Sequence, residues 1–101
     1  MVIQMNNKDK RIIEKYQQDE KAMILAFAQW CINHNLDPMK VYQRAYPQQK
    51  ENKALLEAIE LTVPKEEGEV ISTEMVLQIL QLFGNNDLAF IVQEEADKDK
   101  L

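Results

Sequence analysis

Cys31 and His34 stand one helical turn apart, and a thiol beside an imidazole is the minimum of a Cys–His nucleophile pair. Nothing in the surrounding pattern supplies a third group to orient the imidazole. Both residues also fall at the expected C-terminal end of an apolar helix. There the helix dipole favours a protonated imidazole and does nothing to stabilise a thiolate. A buried, inert Cys31 and a helix-end His34 follow. The acidic run Glu66-Glu67-Gly68-Glu69 lacks the alternating oxygen ligands and closing glutamate of a calcium loop, so it reads as a solvated loop. There is no glycine-rich phosphate cradle, Walker motif or nucleophile elbow. The expectation is a protein that is not an enzyme and takes no metal or cofactor.

Binding chemistry is better represented. Lys40, Arg44, Lys50 and Lys53 gather positive charge around one corner, with Glu51 the only acid between Lys40 and Lys53. Lys40 and Arg44 are i, i+4 neighbours, and Lys50 and Lys53 are i, i+3 neighbours on an expected following helix. Tyr42 and Tyr46 lie between them and offer apolar contact at the edge, or ordinary core-edge packing. This corner is the candidate contact with an acidic protein surface, or an internal mate for the acidic second half of the chain. The alternative is a helix-turn-helix over residues 28–46, with Cys31, Asn35, Leu36 and Val41 as its small, turn and apolar positions. Its second helix would offer Lys40, Gln43 and Arg44 to bases or phosphates. Against it, Arg44 occupies a position where that pattern is apolar, and the turn has no glycine.

These residues need helices to hold them. Asn6 or Asn7 can cap a first segment carrying Ile12, Ile13 and Tyr16, which continues either as one helix or, after a break near Gln18-Asp19, as two. Met23, Phe27 and Trp30 at i, i+4, i+7 form the seam of a central helix that is apolar on every side from Ala22 to Ala28. Asn33-His34-Asn35 closes it. Asp37 and Pro38 begin a short second helix, with Leu36 stapled to Val41. A third helix is expected from about Gln48 to Leu61, burying Leu55, Leu56 and Ile59. Thr62 to Ile71 is a loop in which Leu61–Val63 and Glu69–Ile71 can pair as a short bridge. Ser72 caps a fourth helix burying Met75, Val76, Ile79, Leu80 and Phe83, and Gly84 ends it. Asn85 or Asn86 starts a fifth that carries Leu88, Ile91 and Val92 and folds back on the fourth as an antiparallel hairpin. The termini, residues 1–6 and 94–101, are expected to fray.

The fold class is therefore all-α, a compact bundle of four or five helices forming a single domain over residues 1–101. Composition agrees: 46% hydrophobic and 29% charged residues are globular proportions, and two glycines and three prolines are few. One cysteine allows no intrachain disulfide and fits a reducing compartment. No apolar run approaches the ~20 residues of a membrane span, and the first residues lack a signal-peptide pattern, so a cytoplasmic protein with no membrane partner is expected. Residues 1–53 carry nine basic and six acidic residues, while residues 54–101 carry three and eleven. That acidic balance argues against nucleic acid and for another protein, or a second copy, as partner.

Two stretches resemble known families. Met75 to Val92, with Phe83-Gly84-Asn85-Asn86-Asp87-Leu88-Ala89 at the bend, resembles the last two helices of a ubiquitin-associated domain. The first-helix signature of that family is absent, and no residue role transfers. The phrases Leu36-Asp37-Pro38-Met39-Lys40-Val41-Tyr42-Gln43-Arg44-Ala45-Tyr46-Pro47 and Leu82-Phe83-Gly84-Asn85-Asn86-Asp87-Leu88-Ala89-Phe90 look like small uncharacterised helical proteins of Bacillus-type bacteria. That resemblance implies a cytosolic bacterial protein and carries no functional residue with it.

Overall fold

Side-chain oxygens set three of the helix starts. The computed structural model describes residues 20–49 and 52–99, and these hold five helices and no strand. Helix α1 covers Glu20–Asn33, α2 Pro38–Ala45, α3 Lys53–Leu61, α4 Thr73–Leu82 and α5 Asn86–Asp99. The Asp37 carboxylate accepts from the Met39 N–H at 2.9 Å, with Pro38 in the first turn, where its missing donor costs nothing. Asn52 accepts from Leu55 N–H at 3.2 Å, and Ser72 from Met75 N–H at 3.1 Å.

Two helix ends share one solution. Asn35 adopts φ 60°, Leu36 N–H donates to the Cys31 carbonyl at 2.8 Å, and Asn35 N–H donates to that of Ile32 at 3.0 Å. Gly84, at φ 75°, lets Asn85 N–H reach Leu80 at 2.8 Å while its own N–H reaches Gln81 at 3.0 Å. Both are Schellman closures built on a left-handed residue. The second turns the chain so sharply that α4 and α5 pack together as a helical hairpin.

Helix α1 is the centre. It packs against α2, α3 and α4, and Met23, Phe27, Trp30 and Cys31 are all buried. Around them lie Val41, Leu55, Ala58, Val76, Ile79, Leu80, Leu88 and Val92, one continuous core fed by every described helix. Helix α5 packs on α4 and α2 and closes the far side.

Several boundaries depart from expectation. Helix α3 starts at Lys53, not near Gln48, because Pro47 and Gln48 form a turn and the Asn52 cap sets the start. Leu56 faces outward, with Leu55 and Ala58 taking the buried positions; Met75 and Phe83 are only partly buried. Helix α5 continues past Glu94 to Asp99, with Ala96 buried and ion pairs at Glu94 and Glu95. The break near Gln18-Asp19, the Asn6/Asn7 cap and the seam of Ile12, Ile13 and Tyr16 lie outside the described residues.

Candidate functional site

The basic corner turns inward. Arg44, in the last turn of α2, donates to Glu94 on α5 at 2.8 Å and to Glu95 beside it, and Lys98 approaches Glu95 at 3.5 Å. The guanidinium and the Glu94 side chain remain about two-fifths exposed. Tyr46 donates its hydroxyl to Asn85 Oδ1 at 3.2 Å, and Asn85 Nδ2 reaches the Met23 sulfur at 3.8 Å, tying α2, the α4–α5 turn and α1 together. Burial, then the neighbouring Asp87, pushes the Tyr46 phenol above its ordinary value. Tyr42 donates to Gln49 at 2.7 Å, accepts from Asn52 at 3.0 Å, and its ring centroid lies 5.0 Å from that of Tyr46. Lys40 and Lys53 are exposed. Lys50 lies outside the described residues, and Lys53 is the first residue of α3. The corner is thus an internal clasp with two outlying lysines.

Cys31 is fully buried, and desolvation, reinforced by Asp37 and Glu95, pushes its thiol far above the ordinary range. Its neighbour in sequence, Trp30, donates to Thr73 Oγ1 at 3.1 Å and meets the His34 ring, with centroids 4.4 Å apart and the planes tilted by 35°. Among the described residues, no three His, Cys, Asp or Glu side chains converge as metal ligands, and no helix is long and apolar enough to cross a membrane. A small pocket of about 60 Å³ lies between α1, α2, α3 and the α4–α5 turn, lined by Phe27, Tyr42, Leu55 and Asn85 among others. It is far below the ~300 Å³ at which small-molecule sites begin.

The most constructed surface feature is the loop from Thr62 to Ile71. Gln29 is buried inside apolar α1, where an unpaired amide would be costly. Its Nε2 donates to the Val63 carbonyl at 2.9 Å and its Oε1 accepts from Val63 N–H at 3.0 Å. The side chain pairs with Val63 as a neighbouring strand would. This replaces the expected bridge between Leu61–Val63 and Glu69–Ile71. Gln29 also donates to Asn33 Oδ1 at 2.9 Å, and Asn33 Nδ2 donates to the Glu69 carbonyl at 3.0 Å. One helical turn of α1 therefore holds both limbs of the loop side by side. Between them the Pro64 carbonyl accepts from Glu67 and Gly68 N–H, and a Cβ on Gly68 would stand 2.7 Å from Gln29 Nε2.

This tied loop shows both apolar and acidic side chains to solvent. Val70 is 96% exposed, Leu61 68% and Val63 38%. Glu60, Glu66, Glu67 and Glu69 are exposed around them. Sequence reasoning did not single out this surface. The available signal was Gln29 and Asn33, two amides four residues apart on a helix otherwise given over to core.

Fold and site together define a small all-helical protein that spends its amide chemistry on holding a loop. A family model described as YxiS matches residues 4–97, and the chain belongs to that family. It is 51% identical over 87 residues to a Bacillus subtilis (strain 168) protein called Uncharacterized protein YxiS, an overlap covering 85% of this chain and 91% of that one. The resemblance to small uncharacterised proteins of Bacillus-type bacteria is thereby shown. No solved structure matches the chain.

Proposed function

We propose that this is a non-enzymatic protein-interaction module and that the loop from Leu61 to Ile71 is its binding surface. The observation that supports the reading is the tie between Gln29, Asn33 and the loop backbone. Exposed valine and leucine side chains on a mobile loop would have to be ordered on binding, at about 0.5–1.5 kcal/mol per immobilised rotamer-rich side chain plus the backbone cost. Here both limbs are ordered in advance, and the apolar side chains face water. Large exposed apolar groups on an ordered element mark contact sites more often than isolated surface residues do. The corner of Lys40, Arg44, Lys53, Tyr42 and Tyr46 is the weaker surface, because its Arg44 and both tyrosine hydroxyls are engaged internally. The same engagement disfavours the nucleic-acid reading of residues 28–46, which needs Arg44 free for a phosphate or base.

A photo-crosslinking residue at position 70, compared with one at position 40 in cells of the native host, tests this directly. Discrete protein adducts at position 70, absent at position 40, are expected. Adducts confined to position 40 would move the interface to the basic corner, and nucleic-acid adducts there would restore the regulator.

A further inference from the structure

We infer that the loop's partner is an extended segment of another protein in which lysine or arginine flanks an apolar side chain. The inference rests on the reading of the loop as a binding surface and adds the chemistry of what it receives.

Charge carries the first step. From Glu57 to Glu69 the chain has five glutamates and one lysine, Lys65. Glu57, Glu60, Glu66, Glu67 and Glu69 are all exposed, and none forms an ion pair among the described residues. By contrast, Glu94 and Glu95 on α5 are answered by Arg44 and Lys98. The loop leaves acidic charge uncompensated beside exposed apolar side chains. Such a field attracts a cationic partner and repels an acidic one, which fixes the sign of the partner segment.

The backbone carries the second step. Val63 has both its N–H and its C=O satisfied by Gln29, and the Glu69 carbonyl is satisfied by Asn33. Val70 makes no hydrogen bond to any described residue, so its backbone donor and acceptor stand open next to the most exposed side chain of the surface. An extended segment can pair with these open groups while its side chains meet Val70 and the glutamates. This is peptide recognition by strand addition. A helix has no main-chain donors to spare along its length and would engage only the side chains.

The test uses the full chain labelled with nitrogen-15 and a short synthetic peptide alternating lysine with valine. Two controls accompany it, one with glutamate for lysine and one with serine for valine. Amide shifts on titration should centre on residues 61–71 with Gln29 and Asn33 following, and the two control peptides should bind at least several-fold more weakly. The triple variant Glu66→Gln, Glu67→Gln, Glu69→Gln should weaken binding roughly tenfold, in proportion to three lost exposed pairs. Asp87→Asn with Asp97→Asn, acidic positions on α5, should leave it unchanged. Shifts spread over α5, or a triple variant that binds as well as the parent, would overturn the inference. The crosslinks at position 70 separate the two claims. Adducts whose attached segment is acidic or neutral keep the loop as a binding surface and remove the cationic assignment; no adducts at position 70 removes both.

Discussion

The α2–α5 corner and the Thr62–Ile71 loop solve the same problem, joining distant parts of the chain at the surface, with opposite chemistry. The corner uses full charges, Arg44 with Glu94 and Glu95, left partly in water. The loop uses neutral amides, Gln29 and Asn33, the first of them buried. Exposed charges attract weakly and are screened by salt. Buried amides are directional and costly to leave unpaired. The corner is therefore adjustable and the loop is fixed. Arg44, which the sequence offered either to a partner or to the acidic second half, is paired internally while Lys40 and Lys53 stay exposed, and apolar side chains that looked fit for a strand bridge are left outside.

Both regions stand on α1, and the largest effect should come from removing that support. Phe27→Ala is expected to cost about 3–5 kcal/mol in chemical denaturation, as deletion of a buried aromatic does. A loss below about 1 kcal/mol would mean that corner and loop do not share one core. Gln29→Ala should follow, at roughly 1–3 kcal/mol, since it strips the partners from Val63 and releases Asn33. Its signature is local: limited proteolysis should cut between Val63 and Val70 while α2 and α5 stay protected.

Alkali separates the regions by a graded loss. The Cys31 thiol is raised in the folded state, so its contribution is fully present below the ordinary thiol value near 9.0. Above that value the unfolded chain releases the proton first, and stability falls as pH rises. Tyr46, also raised, adds to the fall above its own ordinary value of 10.0. Urea midpoints from pH 8 to 10.5 should decline, and Cys31→Ala should flatten the first part of that decline. The smallest effect belongs to the corner: Arg44→Ala should cost under about 1 kcal/mol, and the difference from the parent should shrink in high salt. A loss larger than that of Gln29→Ala would reverse the comparison.

What the sequence made legible was local. Asp37-Pro38, Ser72 and Gly84 announce helix ends because cap chemistry needs nothing beyond a few neighbouring residues. The Met23, Phe27, Trp30 seam is legible for a similar reason, since periodicity alone marks a buried face. The start of α3 is set by an equally local signal that sequence reasoning passed over, since Pro47 and Gln48 form a turn and the Asn52 side chain caps the helix. Arg44's partners lie about 50 residues away, and no spacing rule reaches that far. Gln29 was overlooked because a single amide in an apolar run looks like noise until the backbone it serves is in place.

Trp30 gives the molecule a reporter of its own. It is the only tryptophan in the chain, it is fully buried, and its indole N–H is held by Thr73 at the start of α4. Its emission should therefore be blue-shifted in the folded protein and move to the red on unfolding, read with excitation at wavelengths that the three tyrosines do not absorb. Unfolding of the α1–α4 core can therefore be followed by intrinsic fluorescence without attaching a dye.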